Sequence, residues 1–185
     1  LFETEGVTYS AGVPTVWLGL LQYVGSNNLK FSTFKRTVIG GSACPPAMIK
    51  TFRETYGVDV IHAWGMTELS PLGTLSRLQN RHLGLSEAEQ QKIFEKQGHV
   101  IFGIDMKIVG DDGAELPWDG STYGNLLVRG PWVLREYFRG EGGDPLTYDE
   151  QGRGWFPTGD VATIDNQGYM QITDRSKDVI KSGGE

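Results

Sequence analysis

The sequence predicts an α/β protein in which a partial parallel α/β subdomain is followed by a mainly antiparallel, barrel-like β subdomain. Three observations carry that expectation. The short apolar runs Thr37-Val38-Ile39 and Val58 to Ile61 flank a helix-spaced segment, which is the strand, helix, strand order of a parallel sheet. After Gly98 the pattern changes to short runs separated by turn signals, as in a β-rich unit. The composition is that of a folded protein: 185 residues, 38% hydrophobic and 22% charged, with aromatics spread along the chain, enough to bury a core.

Taken in order, Val16, Trp17, Leu20, Leu21 and Val24 recur at helical spacing behind Pro14, and predict a packed helix over Pro14 to Tyr23. The strand at Thr37 to Ile39 runs into Gly40-Gly41-Ser42. Pro45 and Pro46 then open a helix with Met48, Ile49 and Phe52 on its apolar face. The strand Val58 to Ile61 leads into a loop, Ala63-Trp64-Gly65-Met66-Thr67-Glu68. Leu69 to Leu78 reads as an exposed connector. Ser86 and Glu89 have capping-box spacing ahead of a surface helix with Ile93 and Phe94 on its apolar side. Further on, Met106 to Val109 and Leu126 to Val128 read as strands, with a turn at Asp111-Asp112-Gly113 between them. Val161 to Ile164, the turn Asp165-Asn166-Gln167-Gly168 and Tyr169 to Thr173 form a hairpin. The expected domains are 1–98, 99–173 and a terminal segment 174–185. Internal repeats and low-complexity tracts are not seen.

A net charge of −6 excludes a broad nucleic-acid footprint and leaves room for a local cationic phosphate pocket. The single cysteine, Cys44, allows no internal disulfide and fits a reducing compartment. No apolar run reaches the roughly 20 residues a membrane helix needs, and no basic stretch leads into an apolar core at the start. A cytoplasmic location is expected, with peripheral membrane association as the alternative. Leu1 in place of methionine, and the close on Lys181-Ser182-Gly183-Gly184-Glu185, lead to the expectation that the chain is an internal piece of a longer protein.

Four segments could carry chemistry. Gly40-Gly41-Ser42-Ala43 lets a backbone approach a flat ligand, or simply turns into a helix. Trp64-Gly65-Met66-Thr67-Glu68 brings an aromatic face, a hydroxyl and a carboxylate to a strand end, where open α/β sheets hold ligands. That set suits a nucleotide with Mg²⁺; a core tryptophan followed by a capping threonine is the alternative. Asp160, in Trp155-Phe156-Pro157-Thr158-Gly159-Asp160, is a natural acceptor for two ribose hydroxyls, although Gly-Asp is also ordinary turn chemistry. Asp174-Arg175-Ser176-Lys177-Asp178-Val179-Ile180-Lys181-Ser182-Gly183-Gly184-Glu185 offers three cations and two glycines that could clamp phosphate, or else a solvated charge run.

In this order and with these spacings, the segments resemble the adenylate-forming superfamily of acyl-CoA synthetases, luciferases and peptide-synthetase adenylation domains. Gly40-Gly41-Ser42-Ala43 looks like the family's adenine loop. Trp64-Gly65-Met66-Thr67-Glu68 looks like its aromatic-Gly-x-Thr-Glu motif, Thr158-Gly159-Asp160 like its ribose motif, and the final segment like its hinge to a C-terminal domain. Gly12-Val13-Pro14-Thr15 and Gly130-Pro131-Trp132-Val133 fit the branch that activates medium and long fatty acids.

The resemblance implies that Gly41, His62, Ala63 and Trp64 line an adenine pocket, with Ser42, Ala43, Gly65 and Met66 beside them. Trp64 stands where most relatives carry tyrosine, so stacking is kept and a phenol lost. Thr67 would contact phosphate, Glu68 would coordinate Mg²⁺, and Asp160 would hold the ribose. Arg175 and Lys177 would lie at or near the nucleotide and the pivot, with Lys181 a further phosphate candidate. Ser182, Gly183 and Gly184 would face the CoA channel. The implied co-substrates are ATP, a fatty acid and CoA, with Mg²⁺. No covalent nucleophile is needed, and Cys44 reads as a small packed residue.

Two rivals stand beside that reading: an acyl-AMP ligase that loads a carrier protein, and a non-catalytic nucleotide-binding module. The family's Ser/Thr/Gly-rich phosphate loop and the C-terminal domain with its lysine of adenylation are not in these 185 residues. The isolated chain is therefore expected to show no turnover. A measurable acid-dependent release of AMP from the purified 185-residue chain would contradict this.

Overall fold

The computed structural model describes residues 1–175, with Asp174 and Arg175 in main chain only. The expectations for Lys177, Lys181, Ser182, Gly183, Gly184 and the hinge lie outside the described residues. The chain forms two compact units, Leu1–Gly65 with Thr74–Gly98, and Met66–Gly73 with the described residues from His99 on.

The first unit contains β1 (Tyr9–Gly12), α1 (Pro14–Ser26), β2 (Arg36–Ile39), α2 (Pro46–Lys50), β3 (Asp59–Gly65), the end of β4 (Leu72–Leu75) and α3 (Glu87–Glu95). The strands β1, β2 and β3 run parallel, with Gly12 opposite Ile39 and Ile39 opposite His62. Pro14, which lacks an N–H that the first turn would leave unbonded, starts α1. Trp17 and Val24 turn into the core at 2% and 4% exposure. Val16, expected on the same packed face, is 60% exposed, because the stripe through positions 17, 20, 21 and 24 leaves position 16 at its outer margin. The Pro46 helix buries Met48, Ile49 and Phe52 as expected, and continues through Thr51–Thr55 as a π-helical turn. Both bonds of the Ser86 and Glu89 capping box are made.

Aromatic rings fill the space between these elements. Trp17 stacks near Phe34 with centroids 6.0 Å apart, and Phe52 meets Trp17 edge-on at 5.8 Å. Ile39, Ile49, Val58, Val60 and Phe94 complete this core. The connector expected to be exposed is partly buried: Leu69, Thr74 and Ser76 show no exposed surface, while Ser70, Pro71 and Arg77 are exposed. The polar residues of this stretch are tolerated inside because their hydroxyls find carbonyls, Thr74 Oγ1 donating to Gln97 at 2.7 Å and Ser76 Oγ to Ile93 at 2.7 Å.

Cys44 follows the Gly40 loop and is buried. Its N–H donates to His62 Nε2 at 3.2 Å. The imidazole proton then sits on Nδ1, a buried atom with no close hydrogen-bond partner among the described residues. Burial lowers the affinity of His62 for a second proton, partly countered by the backbone of Glu95 and Lys96. Burial also pushes the Cys44 thiol up to about 12.

The second unit contains β5 from His99 onward (Gly98–Val100), β6 (Asp105–Val109), β7 (Tyr123–Arg129), β8 (Thr147–Tyr148), β9 (Gly154–Ile164) and β10 (Tyr169–Arg175). Neighbours in the order β6-β7-β9-β10 are antiparallel, and β8 pairs with β9. The expected strands and the Asp165 turn are present; Gly168 donates back to the Asp165 carbonyl at 2.9 Å. The run Trp155 to Asp160, whose Gly-Asp also reads as turn chemistry, lies inside the eleven-residue β9. Ile108, Leu126, Val128, Ala162, Ile164 and Met170 are buried. Trp155 carries Lys107 Nζ 4.5 Å and the Arg129 guanidinium 5.0 Å from its ring, a favourable use of cations beside an aromatic face. Among the described residues no helix is long and apolar enough to cross a membrane.

Two expectations follow. Phe52→Ala removes a fully buried ring and should destabilise the fold by about 3–5 kcal/mol, read as a fall in the urea midpoint. Cys44 should resist iodoacetamide at pH 8 in the folded protein and alkylate rapidly once the chain is unfolded in urea, with mass spectrometry as the readout.

Candidate functional site

In the first unit the parallel register sets the C-terminal ends of β2 and β3 side by side, so Gly40 to Ala43 and Ala63 to Gly65 share one edge of the sheet. Contact there is close. A Cβ on Gly40 would come within 2.9 Å of the Ala63 carbonyl oxygen, and Gly41 holds φ at +84° beside Val13. Glycine is therefore required twice, once for space and once for conformation. Gly41, Ser42 and Ala43 are exposed. His62 is 2% exposed and serves as the partner of the Cys44 N–H. Ala63 and Trp64 are each 8% exposed, and both belong to β3 together with Gly65. A cavity of about 250 Å³ in this unit, lined by residues including Arg53, Asp59, Arg77 and Phe94, involves the opposite, N-terminal end of β3 and none of these residues.

The second unit begins with Met66, and Thr67–Leu69 form a single 3-10 turn. Leu69 anchors that turn in the interior, while the Thr67 side is exposed and Glu68 is half-buried. Ser70 closes the turn in the left-handed conformation, φ +54°, its N–H donating to the Thr67 carbonyl at 3.1 Å. A distant segment grips it. The Leu134 N–H donates to the Glu68 carbonyl at 2.8 Å, and Ser70 Oγ donates to the Trp132 carbonyl at 3.0 Å. Tyr137 then places its hydroxyl 3.0 Å from Glu68 Oε1. Among the described residues no other side chain bonds the Glu68 carboxylate, which leaves Oε2 with open coordination. Sequence reading missed Tyr137, which lies 69 positions from Glu68 in a stretch with no periodic signal.

Asp160 sits in an irregularity of β9. Asn125 opposes Val161 and Leu127 opposes Pro157, so two steps along β7 match four along β9, and Thr158, Gly159 and Asp160 bulge from the ladder. Gly159 supplies the turn with φ +77°. Thr158 Oγ1 donates to the Leu126 carbonyl at 2.9 Å and accepts from the Asp160 N–H at 3.1 Å. This fixes the loop from within. Across the hairpin Arg175 pairs in register with Asp160.

Among the described residues no cluster of three or more His, Cys, Asp or Glu could hold a metal by itself. Thr67 and Glu68 are hard oxygen donors in an accessible turn. That donor set fits Mg²⁺, which commonly takes one or two protein carboxylates and completes its shell with water and substrate phosphates.

A family model described as AMP-binding enzyme matches residues 1–138. The chain is 55% identical over its whole length to a 3-methylmercaptopropionyl-CoA ligase of Ruegeria lacuscaerulensis and 50% identical to a medium-chain-fatty-acid–CoA ligase of Ectopseudomonas oleovorans, covering 33% of each. It thus spans about a third of the length of the curated relatives it matches. Among solved structures, an O-succinylbenzoate coenzyme A synthetase from Bacillus subtilis in complex with ATP and magnesium ion is similar with a TM-score of 0.75 and 27% identity, over 100% of this chain and 35% of that one. With three quarters of its length matched, the chain belongs to the AMP-binding enzyme family.

Proposed function

We propose that the full-length protein is an AMP-forming acyl-CoA ligase that joins a fatty acid, with a medium-chain aliphatic acid as the first candidate, to CoA through an acyl-AMP. The observation that carries this reading is the Thr67-Glu68 turn, an exposed hydroxyl and a half-buried carboxylate held by the main chain of residue 134. Support comes from the two relatives, both CoA ligases of aliphatic acids by name.

The chemistry is charge management. A carboxylate must approach the α-phosphate of ATP, so two anions meet, and the barrier falls when opposite charge and hydrogen-bond donors are already in place. Bound Mg²⁺ would supply charge to the phosphates, with Glu68 as its protein ligand. Thr67 would donate its hydroxyl to a phosphate oxygen. Asp160, on its braced bulge, would accept from the ribose hydroxyls and set the nucleoside's orientation. The glycines at 40 and 41 would let the adenine lie against main chain, with Ser42, Ala43 and the strand end Ala63-Trp64-Gly65 alongside. Arg175 and Lys177 belong to the same proposal as phosphate or pivot groups, Lys181 as a further phosphate group, and Ser182, Gly183 and Gly184 as part of the CoA path.

The test is AMP release by the full-length protein against straight-chain acids of increasing length, with and without CoA, beside an Asp160→Ala variant. The expected result is CoA-dependent AMP and acyl-CoA with a maximum at medium chain length. Losing a carboxylate that accepts two hydroxyls should raise the KM for ATP by about tenfold or more. Acyl-AMP that accumulates whether or not CoA is present would instead indicate a ligase serving a carrier protein. An absence of AMP with every acid would indicate a nucleotide-binding module without catalysis.

A further inference from the structure

Tyr137 is the one described side chain that touches the Glu68 carboxylate, O–H to Oε1 at 3.0 Å. The contact is built in by the main chain, because the segment carrying Tyr137 is tied to the Glu68 turn at two other points. Leu134 N–H reaches the Glu68 carbonyl at 2.8 Å, and the Trp132 carbonyl accepts from Ser70 Oγ at 3.0 Å. Val133, between these two ties, is buried at 7% exposure. Leu69, on the other side of the clasp, is fully buried. The two backbones are therefore held at a spacing that a phenol bridges, although Tyr137 itself is 40% exposed.

We propose that Tyr137 is a positioning residue for the metal-binding carboxylate: it engages Glu68 Oε1 and thereby presents Oε2 to the divalent cation that arrives with ATP. The inference rests on the reading of Glu68 as the Mg²⁺ ligand. Glutamate has three side-chain torsions to fix, and a half-exposed one samples many positions unless something holds it. Hydrogen bonds from outside the coordination shell do this in metal sites generally, and losing one typically weakens metal affinity by about 10–100-fold. The type of donor matters. A lysine or arginine at this position would neutralise the carboxylate and compete with the cation. A phenol orients the carboxylate and leaves its charge in place.

The test measures Mn²⁺ binding in the presence of α,β-methylene-ATP, by the electron-paramagnetic-resonance signal of free Mn²⁺, for the full-length wild type, Tyr137→Phe, Glu68→Gln and the double variant. The phenylalanine variant keeps the ring, and its melting temperature should match the wild type. If the inference holds, Tyr137→Phe weakens Mn²⁺ about tenfold, a low-end value for a partly exposed contact. The Mg²⁺ concentration giving half-maximal activity rises by the same factor while kcat at saturating Mg²⁺ is kept, and the double variant is no worse than Glu68→Gln alone. Loss of affinity in Glu68→Gln with none, or a gain, in Tyr137→Phe overturns the role of Tyr137 and leaves that of Glu68 standing. Unchanged affinity in Glu68→Gln overturns both.

Discussion

The parallel pairing of β2 with β3 is the interaction on which the first unit's glycine-lined edge depends. Placing Ile39 opposite His62 ends β2 beside β3, which continues to Gly65, so the Gly40 loop leaves the sheet alongside Ala63 to Gly65. The pairing is tight enough to exclude a side chain at Gly40. It is backed by one hydrogen bond from the far side of the loop, from the Cys44 N–H to the buried imidazole of His62. A loop of small residues would ordinarily be mobile; this one is moored at both ends. His62 thus acts as a strut two residues before Trp64, and its burial, with the weakened basicity that follows, suits a group that works uncharged.

The second unit solves the opposite problem, how to aim polar groups away from a regular ladder. At Thr158 to Asp160 the solution is a bulge whose own threonine satisfies the displaced main chain. At Thr67 to Ser70 it is a single short turn that is too small to hold itself and is gripped by residues 132 to 137. In both places the half-buried carboxylate stands on a support of buried or hydrogen-bonded neighbours. Such support fixes polar groups before any ligand arrives, the condition under which they act most strongly on charge.

Much of this was legible in the sequence, and the reasons differ from element to element. The helix at Pro14 announces itself by spacing and by a proline, and the hairpin around Asp165 by its turn residues. Those signals are local, so the fold could not hide them. Strand β1, Tyr9-Ser10-Ala11-Gly12, has little apolar content and is specified by its neighbour. In the sequence Leu72–Leu75 merges with an exposed connector, because hydroxyls look polar until their buried acceptors are known. The Thr158 bulge looked like a loop for the same reason that it works, since glycine and threonine there break the ladder. Motif residues Thr67, Glu68 and Asp160 could be picked out as types. The partner of Glu68 could not, since it depends on a fold that joins positions 69 apart.

The clasp on the Glu68 turn is made largely of main chain, and this bears on how the segment can change over evolutionary time. An N–H at position 134 meeting a carbonyl at position 68 is indifferent to which side chains those positions carry. The exposed positions among 131 to 136 can therefore drift in size and charge while the carboxylate stays where it is, whereas Val133 is buried and must stay apolar. The one identity such drift cannot take is proline at 134, which has no N–H to give.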